Sequence, residues 1–320
     1  MPYYGIPIDQ TNENVAMAFN KYILTDLLRE ELGFNGVICS DWGIITGRHW
    51  GVDELSIADR YEKSINAGID QYGGETETTY LIQLIKENKI SEGRINESVK
   101  RILVNKFELG LFDDPYVDEN KIKDRVNTKE SIEAGLEAQR KSIVLLENSG
   151  TLPLKKGIKI FVDGLDNNIA KDYGILVEDP SDADVIVMYI HTVFNGNQES
   201  GLNRVFDNFL STLFQNGDLN FNNEILAQIE NYSKDKELIV IVDLNRPAIL
   251  EDIKKLSSGL IGTFGVSDRI MFEGIFGEFS PTGKLPFEIP SSMESVLEQK
   301  EDMPDDSLNP TYEMGYGITY

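Results

Sequence analysis

The chain has 320 residues, a length that suits one large domain or two of ordinary size. Its 54 acidic and 30 basic side chains give a net charge of −24, so its surface repels nucleic acid and anionic lipid. No apolar run approaches the roughly 18 residues of a membrane span. A single cysteine and two histidines exclude an internal disulfide and a metal site rich in cysteine or histidine.

Residues 1–115 alternate between helical and strand-like patterns. Residues 16–32 carry apolar side chains at helical spacing and end at Gly33, which predicts a helix. Two short apolar runs, 37–40 and 67–72, lie next to glycines and are typical of strands buried in a parallel sheet. Further helices are predicted at 56–67, 79–87 and 95–109. This part therefore holds only about two strand–helix units of a parallel α/β fold.

Residues 116–150 are predicted to form a polar linker followed by a connecting helix at 129–141. Residues 151–320 alternate again and form a second domain with a polar C-terminal tail. Its buried strands are predicted at 159–163, 185–190, 238–244 and 260–265, with helices at 222–233, 249–256 and 268–276. Strands and helices that alternate over short links indicate a doubly wound parallel sheet with helices on both faces.

One carboxylate stands out by its position. Asp41 directly follows the predicted strand 37–40, and the carboxyl ends of parallel strands are where α/β enzymes carry their active sites. A carboxylate there could attack a sugar, and the indole of Trp42 could provide an apolar stacking face. From spacing alone, the alternative remains that Asp41 only caps the following helix.

The segment around Asp41 closely resembles the nucleophile signature of glycoside hydrolase family 3, the retaining β-glycosidases. Further segments resemble that family in the same order along the chain. They are LLREELGFNG, NAGIDQYGG, RILVNKFELGLFDDPY, SIVLLENSGTLPL, SPTGKLPFEIP and YEMGYGITY. The resemblance implies a TIM-type (β/α)8 barrel followed by an α/β sandwich domain, with Asp41 as nucleophile and Trp42 in the sugar-binding subsite.

The barrel of that family has eight strands and needs about 250 residues, whereas only its last two strands are recognisable here. We therefore expect the C-terminal part of a longer enzyme, with an upstream chain as one source of the missing strands. The protein is cytoplasmic if Met1 is the true start and secreted if a longer N-terminus carries an export signal. The alternative function is a non-catalytic remnant that binds carbohydrate or serves in assembly.

A retaining mechanism also needs an acid/base carboxyl about 5–5.5 Å from the nucleophile. Glu199 loosely matches the acid/base segment of the family, which lies in a loop of the second domain. Glu75 is the rival, because it follows the strand next to that of Asp41. Arg48 and His49, on the loop after Asp41, are expected to bind the carbohydrate substrate together with Trp42. No metal and no organic cofactor are expected, since both steps are proton and carboxylate chemistry.

Overall fold

The computed structural model describes residues 1, 2, 5, 6, 8–193, 217–300, 303 and 305–320. They belong to two compact units, Met1–Asn120 and Lys121–Tyr320. None of the helices in these described residues is long and apolar enough to cross a membrane.

The first unit is built around two parallel strands, β1 (Cys39–Trp42) and β2 (Gln71–Gly73). Within the described residues this sheet has only these two strands, so it is not a closed barrel. Its helical segments are Met17–Phe19, Tyr22–Glu31, Ile57–Ala67, Thr79–Lys86, Glu92–Glu108 and Glu119–Lys121. The single helix predicted at 16–32 is thus a short 3₁₀ turn followed by a wide helix of the π type.

Local chemistry fixes the helix that links β1 to β2. Ser56 caps its N-terminus by accepting a hydrogen bond from the backbone N–H of Asp59, and Gly68 ends it with a φ of 131° that favours glycine. The apolar face of this helix packs Tyr61 and Ile65 into the core of the unit, against Ile38 and Ile69 beside the two strands. This packing stabilises the parallel βαβ arrangement that carries Asp41.

The described part of the second unit contains a six-stranded sheet. Its strands are β3 (Val144–Asn148), β4 (Lys159–Asp163), β5 (Ile175–Leu176), β6 (Val185–His191), β7 (Glu237–Asp243) and β8 (Gly259–Thr263). Their order across the sheet is β3-β8-β7-β6-β4-β5. Within the described residues of this unit, the helical segments are Ile122–Arg125, Lys129–Ser142, Asn167–Ala170, Pro180–Asp182, Asn223–Ser233, Glu251–Leu256, Asp268–Ile275 and Met293–Glu298.

This sheet has a separate apolar core on each face. Alternate residues of β6 point into opposite cores, with Val187 in one and Ile186 in the other. Helix Asp268–Ile275 covers the first face, and helices Asn223–Ser233 and Glu251–Leu256 cover the second. The predicted α/β fold with helices on both faces of the sheet is therefore confirmed.

Two strands of this sheet were not expected from the sequence. The edge strand β3 pairs antiparallel with β8, so the sheet is not parallel throughout. The short β5 pairs with β4 at the opposite edge. In β3, Val144 to Leu146 are fully buried but follow the connecting helix almost directly, so no turn signal separates the two elements.

Candidate active site

Strand β1 lies two residues further along the chain than the prediction placed it. Its pairing with β2 begins at Cys39 opposite Gln71 and ends at Trp42 opposite Gly73, so Asp41 lies within the strand and not after it. Three steps along β1 thus face two steps along β2, which is an irregularity of the β-bulge type. Bulges re-aim side chains and are common beside active sites. Here the bulge includes the residue expected to be the nucleophile.

The side chain of Ser40 replaces backbone pairing inside this bulge. Its hydroxyl accepts a hydrogen bond from the N–H of Gly73 at 3.0 Å and donates one to the carbonyl of Asp41 at 2.8 Å. Ser40 is completely buried, so its hydroxyl cannot exchange these two hydrogen bonds for hydrogen bonds to water. The sequence reasoning missed this residue, and its only signal was a small hydroxyl side chain immediately before the key aspartate.

The carboxylate of Asp41 is buried and held on both oxygens. Oδ2 forms an ion pair with Nη1 of Arg48, and Oδ1 accepts a hydrogen bond from the backbone N–H of Trp42 at 2.7 Å. Asp41 itself is only 4% exposed. The structure therefore brings Asp41 and Arg48 together and leaves the Asp41 carboxylate at the carboxyl end of a parallel strand.

The indole of Trp42 is 59% exposed and lies against the glycine pair that ends β2. A Cβ atom added to Gly73 would come within 2.7 Å of Trp42 Cε3, and one added to Gly74 within 2.6 Å of Cδ1. These two positions therefore leave room for the ring because they lack side chains. The result is an exposed aromatic surface beside a buried carboxylate, which is the kind of surface that stacks on a sugar.

Glu75 is tied to the loop that follows β1. Its Oε1 accepts hydrogen bonds from the backbone N–H groups of Ile45 at 3.1 Å and Thr46 at 3.3 Å, and from the Thr46 hydroxyl at 3.3 Å. Arg60 holds the same loop by donating to the carbonyl of Ile45 at 2.8 Å. The loop that carries Arg48 is thus fixed from both sides.

His49 points towards a different carboxylate. Its Nε2 lies 3.5 Å from Oδ1 of Asp53, and its Nδ1 is buried without a hydrogen-bond partner. Glu199, the other predicted acid/base, lies outside the described residues. Within the described part of the chain, no three His, Cys, Asp or Glu side chains converge as metal ligands would.

Comparison with known proteins identifies both units. Residues 6–104 match the glycosyl hydrolase family 3 N terminal domain, and residues 162–320 match the C-terminal domain of the same family. A periplasmic beta-glucosidase/beta-xylosidase of Dickeya chrysanthemi is 35% identical over 340 residues, covering 99% of this chain and 50% of that protein. Beta-glucosidase C of Emericella nidulans is 36% identical over 340 residues, covering all of this chain and 53% of the relative.

Solved structures show the same fold. A beta-glucosidase from Listeria innocua superposes with a TM-score of 0.74 at 22% identity, covering 96% of this chain and 50% of that one. A β-glucosidase from Erythrobacter marinus gives a TM-score of 0.74 at 20% identity. The chain spans about half the length of the curated relatives it matches. From both domain matches and these relatives, this chain belongs to glycosyl hydrolase family 3.

Proposed function

We propose that this chain provides the nucleophile of a retaining β-glycosidase, and that Asp41 is that nucleophile. The observation that carries the proposal is the Asp41 carboxylate, held by Arg48 and the Trp42 N–H at the carboxyl end of a parallel strand. The exposed indole of Trp42 beside it supplies a stacking face for the sugar ring. A carboxylate, the form that pairs with Arg48, is also the nucleophilic form.

In the proposed reaction an oxygen of Asp41 attacks the anomeric carbon. The bond from that carbon to the leaving oxygen breaks, and a carboxylic acid gives its proton to the departing oxygen. Water then attacks the anomeric carbon of the glycosyl-enzyme and loses a proton to the same acid/base residue. The ester bond to Asp41 breaks, so the carboxylate is restored and the configuration of the sugar is retained.

The structure bears on only one of the two acid/base candidates, Glu75, because Glu199 lies outside the described residues. Oε1 of Glu75 already accepts hydrogen bonds from three donors of the loop around Ile45 and Thr46. These contacts tie one oxygen of the carboxylate to the loop, whereas an acid/base group must reach the leaving oxygen of the sugar. This observation supports Glu199 as the acid/base and Glu75 as the residue that orders the loop of Arg48.

The names of the relatives support a substrate class. The Dickeya protein is named a beta-glucosidase/beta-xylosidase, and several fungal relatives are named beta-glucosidases. We therefore propose terminal β-linked glucose or xylose residues as the sugars cleaved. Trp42 would stack on the ring and Arg48 would contact its hydroxyl groups as well as Asp41.

The two-stranded sheet of the first unit supports a role as part of a larger enzyme. Among the described residues this parallel pair has an unpaired strand edge on each side, and such edges are normally covered or paired. Relatives of about twice the length share the family. We propose that further strands, supplied by an upstream polypeptide, pair with β1 or β2 and complete the sugar site.

Turnover of aryl β-glucosides and aryl β-xylosides tests the proposal. The chain is assayed alone and after mixing with an upstream half taken from a relative of the same family. We expect turnover only in the mixture, because one half lacks most of the contacts around the sugar. A well-folded mixture that forms a complex but hydrolyses no aryl β-glycoside would favour the carbohydrate-binding or assembly remnant.

A mechanism-based label identifies the nucleophile. A 2-deoxy-2-fluoro glycoside should leave a glycosyl group on the peptide that contains Asp41, detected by mass spectrometry. Asp41→Asn should abolish both the label and turnover, whereas Asp113→Asn, at an exposed aspartate of the same unit, should preserve both. Labelling of another carboxylate would overturn the assignment. Azide rescue of Glu199→Ala and not of Glu75→Ala would support Glu199 as the acid/base, and the opposite result would favour Glu75.

A further inference from the structure

The side chain of a second aspartate is completely buried at the start of the two strands and takes no part in the proposed reaction. The side chain of Asp70, just before β2, has no exposed surface. Its Oδ2 accepts a hydrogen bond from the backbone N–H of Ile38 at 3.0 Å, immediately before β1. The Asp70 carboxylate therefore joins the beginnings of both strands. Its contact with β1, at Ile38, lies three residues before Asp41 in the chain.

Three arginines surround this single carboxylate. Arg29 contacts Oδ2 at 2.5 Å, while Arg101 at 2.9 Å and Arg94 at 3.3 Å contact Oδ1. The hydroxyl of Ser98 also donates to Oδ1, at 2.7 Å. Arg29 belongs to the helix Tyr22–Glu31, and the other donors belong to the helix Glu92–Glu108. One negative charge thus connects two helices to the sheet.

Two of the arginines also hold the chain around the strands. Arg29 donates to the carbonyls of Phe34 at 3.0 Å and Gly36 at 3.1 Å, in the segment that leads into β1. Arg94 donates to the carbonyl of Ile69 at 2.8 Å, in the segment that leads into β2. Without the carboxylate, the guanidinium groups would lose their central counter-charge and repel each other.

We propose that Asp70 is a positioning residue for Asp41: its carboxylate binds the Ile38 N–H and gathers the three arginines, and this fixes β1 in register with β2. The proposal rests on Asp41 being the nucleophile. Asp70 has no exposed surface, so it acts through β1 and not through substrate. A strand that shifts by even a fraction of an ångström would displace the nucleophile from its attacking position.

Cys39 provides a local probe of this strand that does not depend on activity. It is the only cysteine in the sequence and the first residue of β1, and its thiol is partly buried. Reaction of the thiol with a neutral maleimide therefore reports how often β1 opens. We expect Asp70→Asn to raise the labelling rate at least tenfold. Rates measured across a pH series separate opening from any change in the thiolate fraction.

Asp243→Asn is the matched control in the other unit. Asp243 is also buried and its Oδ1 also accepts a backbone hydrogen bond, from Gly265 at 3.1 Å. This variant should leave Cys39 labelling within twofold of the wild-type rate. If Asp70→Asn fails to fold, Ser98→Ala removes one hydrogen bond from the same carboxylate and should still raise the rate severalfold. Unchanged labelling in the folded variants would overturn the proposal.

The mixture with an upstream half separates this proposal from the proposed function. We expect Asp70→Asn to lower kcat at least tenfold and to leave KM within threefold, since the substrate does not touch Asp70. Faster labelling with an unchanged kcat would show that Asp70 does not position the nucleophile. Absence of turnover in the wild-type mixture would refute the glycosidase function, while the labelling result would still decide whether Asp70 holds β1.

Discussion

The indole of Trp42 has room for its position because Gly73 has no side chain. The substitution Gly73→Ala therefore tests the site directly. The added Cβ would lie 2.7 Å from Trp42 Cε3 and 2.9 Å from the carbonyl oxygen of Ser40. The indole can rotate away, but the carbonyl belongs to β1 and cannot move without disturbing the strand pair. Gly73 has no positive φ, so the cost of the alanine is steric and not conformational.

The expected loss in the free energy of unfolding of Gly73→Ala is the difference between two opposing effects. Overpacking a filled site costs about 1–3 kcal/mol. Replacing glycine by alanine returns about 0.5–1 kcal/mol, because the unfolded chain becomes less flexible. From the mid-points of these two ranges, we expect the free energy of unfolding of the first unit to fall by about 1 kcal/mol, together with a displaced Trp42 ring.

Tryptophan fluorescence can measure both the loss of stability and the displacement of the Trp42 ring, and it reports on the first unit alone. The two tryptophans of the chain, Trp42 and Trp50, both lie in the first unit, so a Trp50→Phe background leaves Trp42 as the single reporter. Urea unfolding gives the stability, and acrylamide quenching reports the packing of the ring. Gly93→Ala is the control, since its Cβ would meet only Ser91 Oγ at 3.8 Å. Wild-type stability and quenching in Gly73→Ala would refute the reasoning.

Three further outcomes are expected. Ser40→Ala should destabilise the first unit by about 1–3 kcal/mol in urea unfolding, because the buried Gly73 N–H loses its acceptor; equal stability would contradict that role. Gly135→Ala, in the helix Lys129–Ser142, should stabilise the second unit by about 0.5–1 kcal/mol in CD-monitored unfolding, because the added Cβ meets no atom within 4 Å. Burial acts to raise the pKa of Asp70, but hydrogen bonds from Ile38, Ser98 and Arg101 hold it below its usual range. Its stabilising contribution should therefore be complete above the unfolded pKa of about 3.9 and be lost as the pH falls through the folded value, and Asp70→Asn should remove this part of the pH dependence of unfolding.

Most of the second unit could be predicted because its central strands β6, β7 and β8 are buried on both faces. Runs of Val, Ile and Leu predicted β4 with the bounds that the structure shows, and β6, β7 and β8 within a residue or two at each end. Edge strand β3 was missed because its partner β8 begins more than 100 residues later in the chain. Nothing near Val144 indicates that pairing or its antiparallel direction.

In the first unit the sequence identified the important aspartate but not how it is held. A short apolar run followed by Asp41 and Trp42 was enough to predict a carboxylate near the end of a parallel strand. The extra residue in β1 could not be predicted, because a bulge exists only relative to the strand opposite it. The anchoring of Glu75 to Ile45 and Thr46 joins residues about 30 positions apart and was likewise hidden.

Local patterns of apolar side chains, glycines and helix caps were sufficient to establish the α/β class and the position of Asp41 in the chain, since they act over a few neighbouring residues. Only the folded chain brought Arg48 onto that carboxylate, laid the Trp42 ring over Gly73 and Gly74, and gathered three arginines around Asp70. Those contacts depend on register, burial and side-chain direction, which are set when distant segments pack together.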